Sequence, residues 1–158
     1  MSMINPYENF EMCTSPIIRA LERTWDKSKK KKWDCIYIAV DIHDTIVYGN
    51  YDTTKLPKTF CPQAKETLQF LSNRKDIVLF LYTCSHKHEI VKYEQFFKEN
   101  GITFQSTNKN PAVSSNDLGC YDDKPYFNLL LDDKAGFDCE TDWFHIYNWF
   151  HKKKEYLF

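Results

Sequence analysis

Polar side chains that could hold a metal ion and a phosphate follow three apolar runs of the sequence, at the point where each run ends. In chain order they are Asp41, His43 and Thr45 after the run at 36–40, Thr83 and Ser85 after the run at 77–82, and Asp132 and Asp133 after the run at 127–131. Continuous apolar runs rich in β-branched residues are typical of strands buried on both faces of a parallel sheet. Because ligands bind at the carboxyl ends of such strands, we expect these side chains to converge on one pocket.

The carboxylates of that pocket predict a bound cation. Asp41, Asp132 and Asp133 would repel one another strongly unless a positive charge lay among them. Oxygen ligands favour Mg²⁺, which keeps part of its water shell and also accepts the phosphate oxygens of a substrate. A carboxylate beside Mg²⁺ can attack phosphorus, since an aspartyl-phosphate intermediate divides ester hydrolysis into two steps.

The turn after the second apolar run is predicted to bind phosphate. Thr83 lies between a buried strand and a helix, so its hydroxyl and the backbone N–H groups of Cys84 and Ser85 suit a phosphate oxygen. Lys124 could neutralise charge on the phosphoryl group during transfer. The Cys84 thiol is interpreted as a small buried filler rather than a nucleophile, because no Cys–His pair with a third orienting group can be read from the sequence.

Helical patterns alternate with the apolar runs and predict an α/β fold with a parallel sheet. A hydroxyl residue followed by proline, at positions 14–16, predicts the start of the first helix. Further helices are predicted at about 62–73, at 86–100 and from Thr141 onwards, with an additional short strand at 102–104. We expect residues 1–33 to form an N-terminal helix and a lysine-rich linker packed on a catalytic domain of residues 34–158.

The composition is that of an ordinary folded domain. The 158 residues are 42% hydrophobic, 27% charged and 16% aromatic, which excludes an intrinsically disordered chain. The net charge of −1 gives no general basic field for nucleic acid, although lysines cluster at 27–32 and 152–154. No apolar run approaches the ~20 residues that span a bilayer, and residues 1–12 lack the features of a signal peptide. Six dispersed cysteines without a CxxC pair are expected to be reduced, as in a cytoplasmic protein.

Four motifs, in this order, resemble those of the haloacid dehalogenase (HAD) superfamily. They are Asp41-Ile42-His43-Asp44-Thr45 for the DxDxT motif, Thr83 at the end of a strand, Lys124 in Asp123-Lys124-Pro125, and Asp132-Asp133 after an apolar strand. The resemblance covers about residues 34–150, and the stretch 124–136 is also similar to small capless bacterial and phage members, some of them nucleotidase-like. It implies a three-layer, Rossmann-like HAD fold with a mostly parallel sheet and no cap domain, for which the loop at 48–61 leaves no room.

The resemblance also implies a role for each matching residue. Asp41 would be the nucleophile and a Mg²⁺ ligand, and His43 would bind Mg²⁺ through its backbone carbonyl. Thr83 and Lys124 would hold the phosphoryl group, with Lys124 also steadying Asp41. Of the two acids at 132–133, the second would be the direct metal ligand, and the first would assist directly or through water.

One position departs from the family pattern. Phosphatases of the family carry a second aspartate where this chain has His43, and that aspartate protonates the leaving oxygen and later activates water. Imidazole titrates near neutrality, with a reference pKa of ~6.5, so His43 could act as the general acid and base. Two other interpretations stay open, a residue that shapes the pocket of a slow enzyme and a descendant without catalysis. Asp44 is a further alternative for the missing acid.

The predicted function is a Mg²⁺-dependent phosphomonoester hydrolase that forms an aspartyl-phosphate on Asp41, with a nucleotide or sugar phosphate as its small substrate. The alternative is a phosphate- or nucleotide-binding protein that kept the fold and lost turnover because of His43. An open crevice would admit a larger substrate, such as a nucleic-acid end, or would be covered by a neighbour in a homo-oligomer. No membrane partner is expected.

Overall fold

The structure, a computed structural model, describes residues 15–157. These residues contain three parallel strands and four α-helices. In chain order the elements are α1 (Pro16–Lys31), β1 (Ile36–Val40), α2 (Ala64–Ser72), β2 (Ile77–Leu81), α3 (Lys87–Glu99), β3 (Leu129–Leu131) and α4 (Asp142–Lys153), with a 3₁₀ turn at Asp133–Ala135 between the last two. The chain is therefore an α/β protein with a small parallel sheet. The expectations for residues 1–12 and for Thr14 lie outside the described residues.

The sheet has the strand order β2-β1-β3, with β1 in the centre. Val40, the last residue of β1, lies opposite Leu81 of β2 and Leu131 of β3, so the three strands end at the same level. The Asp41 N–H extends the pairing by donating to the Leu131 carbonyl across 2.9 Å, and the Tyr82 N–H donates to the Val40 carbonyl across 2.8 Å. This register brings the residues that follow the strands to one edge of the sheet.

The strand predicted at 102–104 is not formed. Gln105 N–H donates to the Leu79 carbonyl across 2.8 Å, and Leu81 N–H donates to the Ser106 carbonyl across 3.0 Å, so the chain meets β2 a few residues later than expected. The contact amounts to an isolated bridge, because Asn108 takes a left-handed conformation (φ 58°) and turns the chain away. The described sheet therefore has three strands, and the prediction of a fourth was wrong.

Helix α1 begins as predicted and is part of the main core. The Ser15 hydroxyl accepts a hydrogen bond from the backbone N–H three residues on, across 3.4 Å, and Pro16 occupies the first turn. The buried residues of the helix are Ile17, Ile18, Leu21, Trp25 and Ser28. Trp25 packs edge-on against Trp149 and Phe150 of α4, with ring centroids 5.4 Å and 5.8 Å away. No helix within residues 15–157 has the length and apolar character needed to cross a membrane.

Candidate functional site

Three carboxylates meet where β1 and β3 end. Each of Asp41, Asp132 and Asp133 offers an oxygen that lies within 4.8 Å of the other two, and each side chain is partly buried. The three carboxylates that the sequence places at this edge therefore meet, and oxygen ligands of this kind could together hold a metal ion.

Asp41 is held in an environment that disfavours its charge. Burial is the main reason why its pKa rises from the ordinary 3.8 to about 7. A hydrogen bond from the Ile42 backbone N–H opposes the rise, and the charges of Asp132 and Asp133 add to it. A cation among the three carboxylates would reverse this balance, because it would favour the ionised form. A bound cation would therefore stabilise the Asp41 carboxylate.

The two acids after β3 are oriented by different contacts. Asp132 precedes the 3₁₀ turn, and its Oδ1 accepts a hydrogen bond from the Lys134 N–H across 2.8 Å. The Asp133 N–H donates to the Thr45 hydroxyl across 3.2 Å, while its Oδ2 lies 3.2 Å from the Lys134 ammonium group. Since the Lys134 side chain is 87% exposed, a metal ion could displace it from Asp133 at little cost.

The turn after β2 is fixed by Asn108. The Asn108 side chain accepts from the Thr83 N–H and donates to the Thr83 carbonyl, both across 2.8 Å. The Thr83 hydroxyl lies 3.0 Å from the Ser85 hydroxyl and accepts from the Ser85 N–H across 3.2 Å. The paired contacts hold the turn in one shape. Cys84 is exposed in this turn, so the prediction of a buried thiol was wrong. Because the N–H groups of Thr83 and Ser85 are used within the turn, the Thr83 hydroxyl and the Cys84 N–H are the groups that could bind a phosphate oxygen.

His43 is oriented by a tyrosine of α3. Its Nε2 lies 2.7 Å from the Tyr93 hydroxyl, and the two rings meet edge-on with centroids 5.5 Å apart. Tyr93 is only 1% exposed, and burial raises its pKa to about 12, so the phenol stays protonated at neutral pH. Asp44 has φ 53°, and its Oδ1 accepts a hydrogen bond from the Gly49 N–H across 2.9 Å. Both His43 and Asp44 line the same cavity.

One cavity of about 930 Å³ contains most of the predicted site residues. The predicted residues that line it are Asp41, His43, Thr83, Cys84, Asp132 and Asp133. Ser85 is absent from the lining, and so is Lys124, which is exposed with its ammonium group 5.7 Å from the centre of the Phe127 ring. The lysines that do line the cavity are Lys55, Lys92 and Lys134.

Sequence reasoning missed three residues that shape the site. Asn108 contacts Thr83, 25 residues away in sequence, and Tyr93 contacts His43, 50 residues away. No local sequence pattern indicates contacts of this kind. Lys134 could have been found, because a cation directly after an acidic pair must lie near those acids.

Comparisons with known proteins bear on the fold alone. No family model matches the chain, and no curated protein does so. A conserved protein coded by a locus from Bacteroides thetaiotaomicron has a similar structure, with a TM-score of 0.58 and 25% sequence identity. The similarity covers 77% of this chain and 93% of that chain. It supports the α/β architecture and is silent on the reaction.

Proposed function

We propose that this protein is a Mg²⁺-dependent phosphomonoester hydrolase of the HAD type, with the three-layer fold and without a cap domain. The observation that carries the proposal is the meeting of Asp41, Asp132 and Asp133 in a cavity that also contains Thr83 and His43. A metal site, a phosphate-binding turn and a proton-transfer group are the three parts that such a hydrolase needs. A small nucleotide or sugar phosphate is the proposed substrate.

In the first step the Asp41 carboxylate attacks phosphorus. A bond forms between an Asp41 oxygen and the phosphorus atom as the bond from phosphorus to the ester oxygen breaks. The departing oxygen takes a proton from the imidazolium form of His43 and leaves as an alcohol. The phosphoryl group is then carried by Asp41.

In the second step a water molecule attacks the same phosphorus. Neutral His43 accepts a proton from this water, and the bond between phosphorus and Asp41 breaks. Inorganic phosphate is released, and Asp41 and His43 return to their starting protonation states. The Tyr93 hydroxyl, which contacts Nε2, leaves Nδ1 as the nitrogen that exchanges the proton.

Asp41, Asp132 and Asp133 would hold the Mg²⁺ ion, with the His43 carbonyl as a further ligand. The ion would supply positive charge that neutralises the carboxylates and the phosphate oxygens. The Thr83 hydroxyl and the Cys84 N–H would hold the phosphoryl oxygens. Lys124 keeps the phosphoryl-binding role that the family resemblance implies, while Lys92 and Lys134 are the lysines whose place in the cavity supports such a role.

The test is phosphate release from a generic aryl phosphate. We expect release by the wild-type chain with Mg²⁺, loss of release in Asp41→Asn or with a chelator, and a fall in kcat of about 100-fold or more in His43→Ala. Full turnover by His43→Ala would refute the acid/base role. Parallel Lys124→Ala and Lys134→Ala variants show which lysine serves the phosphoryl group, since the one that does so should lose more kcat/KM.

The alternative function is phosphate or nucleotide binding without turnover. It is favoured by the histidine at position 43, where hydrolases of the family carry aspartate. Its signature would be thermal stabilisation by a nucleotide and Mg²⁺ together with no phosphate release. That result would replace the hydrolase proposal with the binding one.

A further inference from the structure

A second groove meets the candidate active site. It has a volume of about 770 Å³ and is lined by lysines and by apolar residues of α3, including Phe96. Lys55, Leu56 and Lys92 line both this groove and the active-site cavity, so the two spaces are adjacent. A long substrate with its phosphate in the cavity could therefore reach the groove across these residues.

The groove is positively charged although the whole chain has a net charge of −1. Its lining contains Lys55, Lys58 and Lys92 but a single acid, Glu99. Within residues 15–157 none of the three lysines forms an ion pair. Their charges are therefore available to an anionic ligand.

Apolar and aromatic surface lies between these charges. The Lys58 ammonium group lies 5.6 Å from the centre of the Phe96 ring, and Val91 is 65% exposed at the groove. Tyr51, at the rim of the cavity, is 96% exposed and has φ 53°. No aromatic ring within the described residues packs against it. The surface thus contains lysine side chains together with aromatic rings and apolar side chains.

The Tyr51 loop is held in shape by its own polar side chains. Asn50 accepts from the Asp52 N–H and donates to the Lys55 carbonyl, both across 3.0 Å. Asp52 in turn accepts from the Thr54 N–H across 2.9 Å and from the Thr54 hydroxyl across 2.6 Å. These contacts fix the backbone that presents the Tyr51 ring at the rim of the active-site cavity, which adjoins the groove.

We propose that the groove and the Tyr51 ring bind a single-stranded nucleic acid whose terminal phosphate enters the cavity at Asp41. Proteins that bind single strands combine a cationic groove for the backbone with aromatic rings on which bases stack. Here Lys55, Lys58 and Lys92 would contact backbone phosphates. The assignment of the terminal phosphate as the reacting group rests on the proposed function, whereas binding along the groove does not.

The binding test uses the full chain and a fluorescent eight-nucleotide oligothymidylate with hydroxyl ends. We expect the association constant to fall with salt, and Lys58→Gln/Lys92→Gln to weaken binding about tenfold at low salt. The salt slope should fall by about 1.4, since each phosphate neutralised on a single strand contributes about 0.7. Tyr51→Ala should weaken binding about fivefold or more through lost stacking.

The matched control removes the same number of charges elsewhere. Lys30 and Lys31 are exposed residues of α1 outside the groove, and Lys30→Gln/Lys31→Gln should change binding by less than about twofold. Equal weakening by the two double variants would overturn the proposal. So would equally tight binding of an acidic phosphopeptide of the same net charge, because the groove would then recognise charge alone.

A hydrolysis test separates this inference from the proposed function. Octathymidylates phosphorylated at the 5′ or at the 3′ end are compared with thymidine monophosphates and an aryl phosphate. We expect a lower KM for one of the octamers, and we expect Lys58→Gln to raise that KM several-fold while kcat is retained. Aryl phosphate hydrolysis without any advantage for either octamer would overturn the nucleic-acid inference and leave the hydrolase intact. Lysine-dependent octamer binding without hydrolysis of any ester would support the groove assignment and refute the hydrolase.

Discussion

The Asp133 N–H donates a hydrogen bond to the Thr45 hydroxyl across 3.2 Å, between residues that are 88 positions apart in sequence. Thr45 is fully buried, and its carbonyl accepts from the Trp143 indole N–H across 2.6 Å. The loop that carries Asp41 is therefore tied both to the loop that carries Asp133 and to helix α4. Through Thr45, the metal-binding carboxylates are positioned by the core of the protein.

Thr45→Val tests this connection, because valine keeps the shape of the side chain and removes the hydroxyl. We expect the free energy of unfolding to fall by about 1 kcal/mol, since the partly buried Asp133 N–H loses its partner. Mg²⁺ affinity should fall as well, because Asp133 is less well oriented. Denaturant unfolding and Mg²⁺-dependent thermal shifts measure the two effects. Unchanged Mg²⁺ affinity in a folded variant would show that this bond does not orient the site.

The raised pKa of Asp41 predicts how stability depends on pH without metal. Its pKa is about 7 in the folded state and near 3.8 in the unfolded state. Between these values the folded chain binds the extra proton, so this group makes stability fall as pH rises from about 4 to about 7. Asp41→Asn should remove this contribution, and Mg²⁺ should reduce it. Melting temperatures across this range, with and without chelator, test both effects, and identical slopes for wild type and variant would contradict them.

Lys134 is expected to compete with the metal ion. Its ammonium group lies 3.2 Å from Asp133 Oδ2, and the Asp133 carboxylate raises the pKa of Lys134. Lys134→Gln should raise Mg²⁺ affinity about two- to fivefold by removing a nearby positive charge. Calorimetric titration with Mg²⁺ measures this, with Lys30→Gln as a control for the change in net charge. Weaker Mg²⁺ binding by Lys134→Gln would argue against a metal at Asp133.

Tyr93→Phe tests whether the tyrosine orients His43. The phenyl ring keeps the packing, while the 2.7 Å contact with His43 Nε2 is lost. We expect a fall in kcat of about tenfold with KM nearly unchanged, and a loss of about 1 kcal/mol in stability. Steady-state kinetics on the aryl phosphate and denaturant unfolding give these quantities. A change in KM alone would instead indicate a role in substrate binding.

Asp76 joins the beginning of β2 to the C-terminal segment. Its carboxylate forms a two-point ion pair with Arg74, at 2.8 Å and 2.9 Å, and accepts from the Leu157 N–H across 3.0 Å. The Asp76 side chain is fully buried, and that of Arg74 is 7% exposed. Asp76→Asn should cost about 3–5 kcal/mol because it leaves a buried arginine without its countercharge. Denaturant unfolding measures this loss, and a cost below about 1 kcal/mol would show that the pair is solvated.

Local sequence was enough to predict most of the elements. The apolar runs at 36–40 and 77–81 form β1 and β2, and the Ser15–Pro16 pair starts α1, because each depends on residues that are neighbours in sequence. The acidic cluster was also predictable, since parallel strands that end at the same level must bring Asp41 and Asp132 together. Predictions of this kind need only side-chain pattern and strand direction.

Tertiary packing decided the rest. The contact between His43 and Tyr93 depends on where α3 lies, and the place of Lys124 beside Phe127 depends on the course of a long loop. The segment at 102–104 has a strand-like composition, yet the hydrogen bonds to β2 are made by the residues that follow it, Gln105 and Ser106. Composition and periodicity determine which segments become helices or strands. Which distant residues share a site depends instead on how the whole core packs, and a local sequence pattern holds no information about that packing.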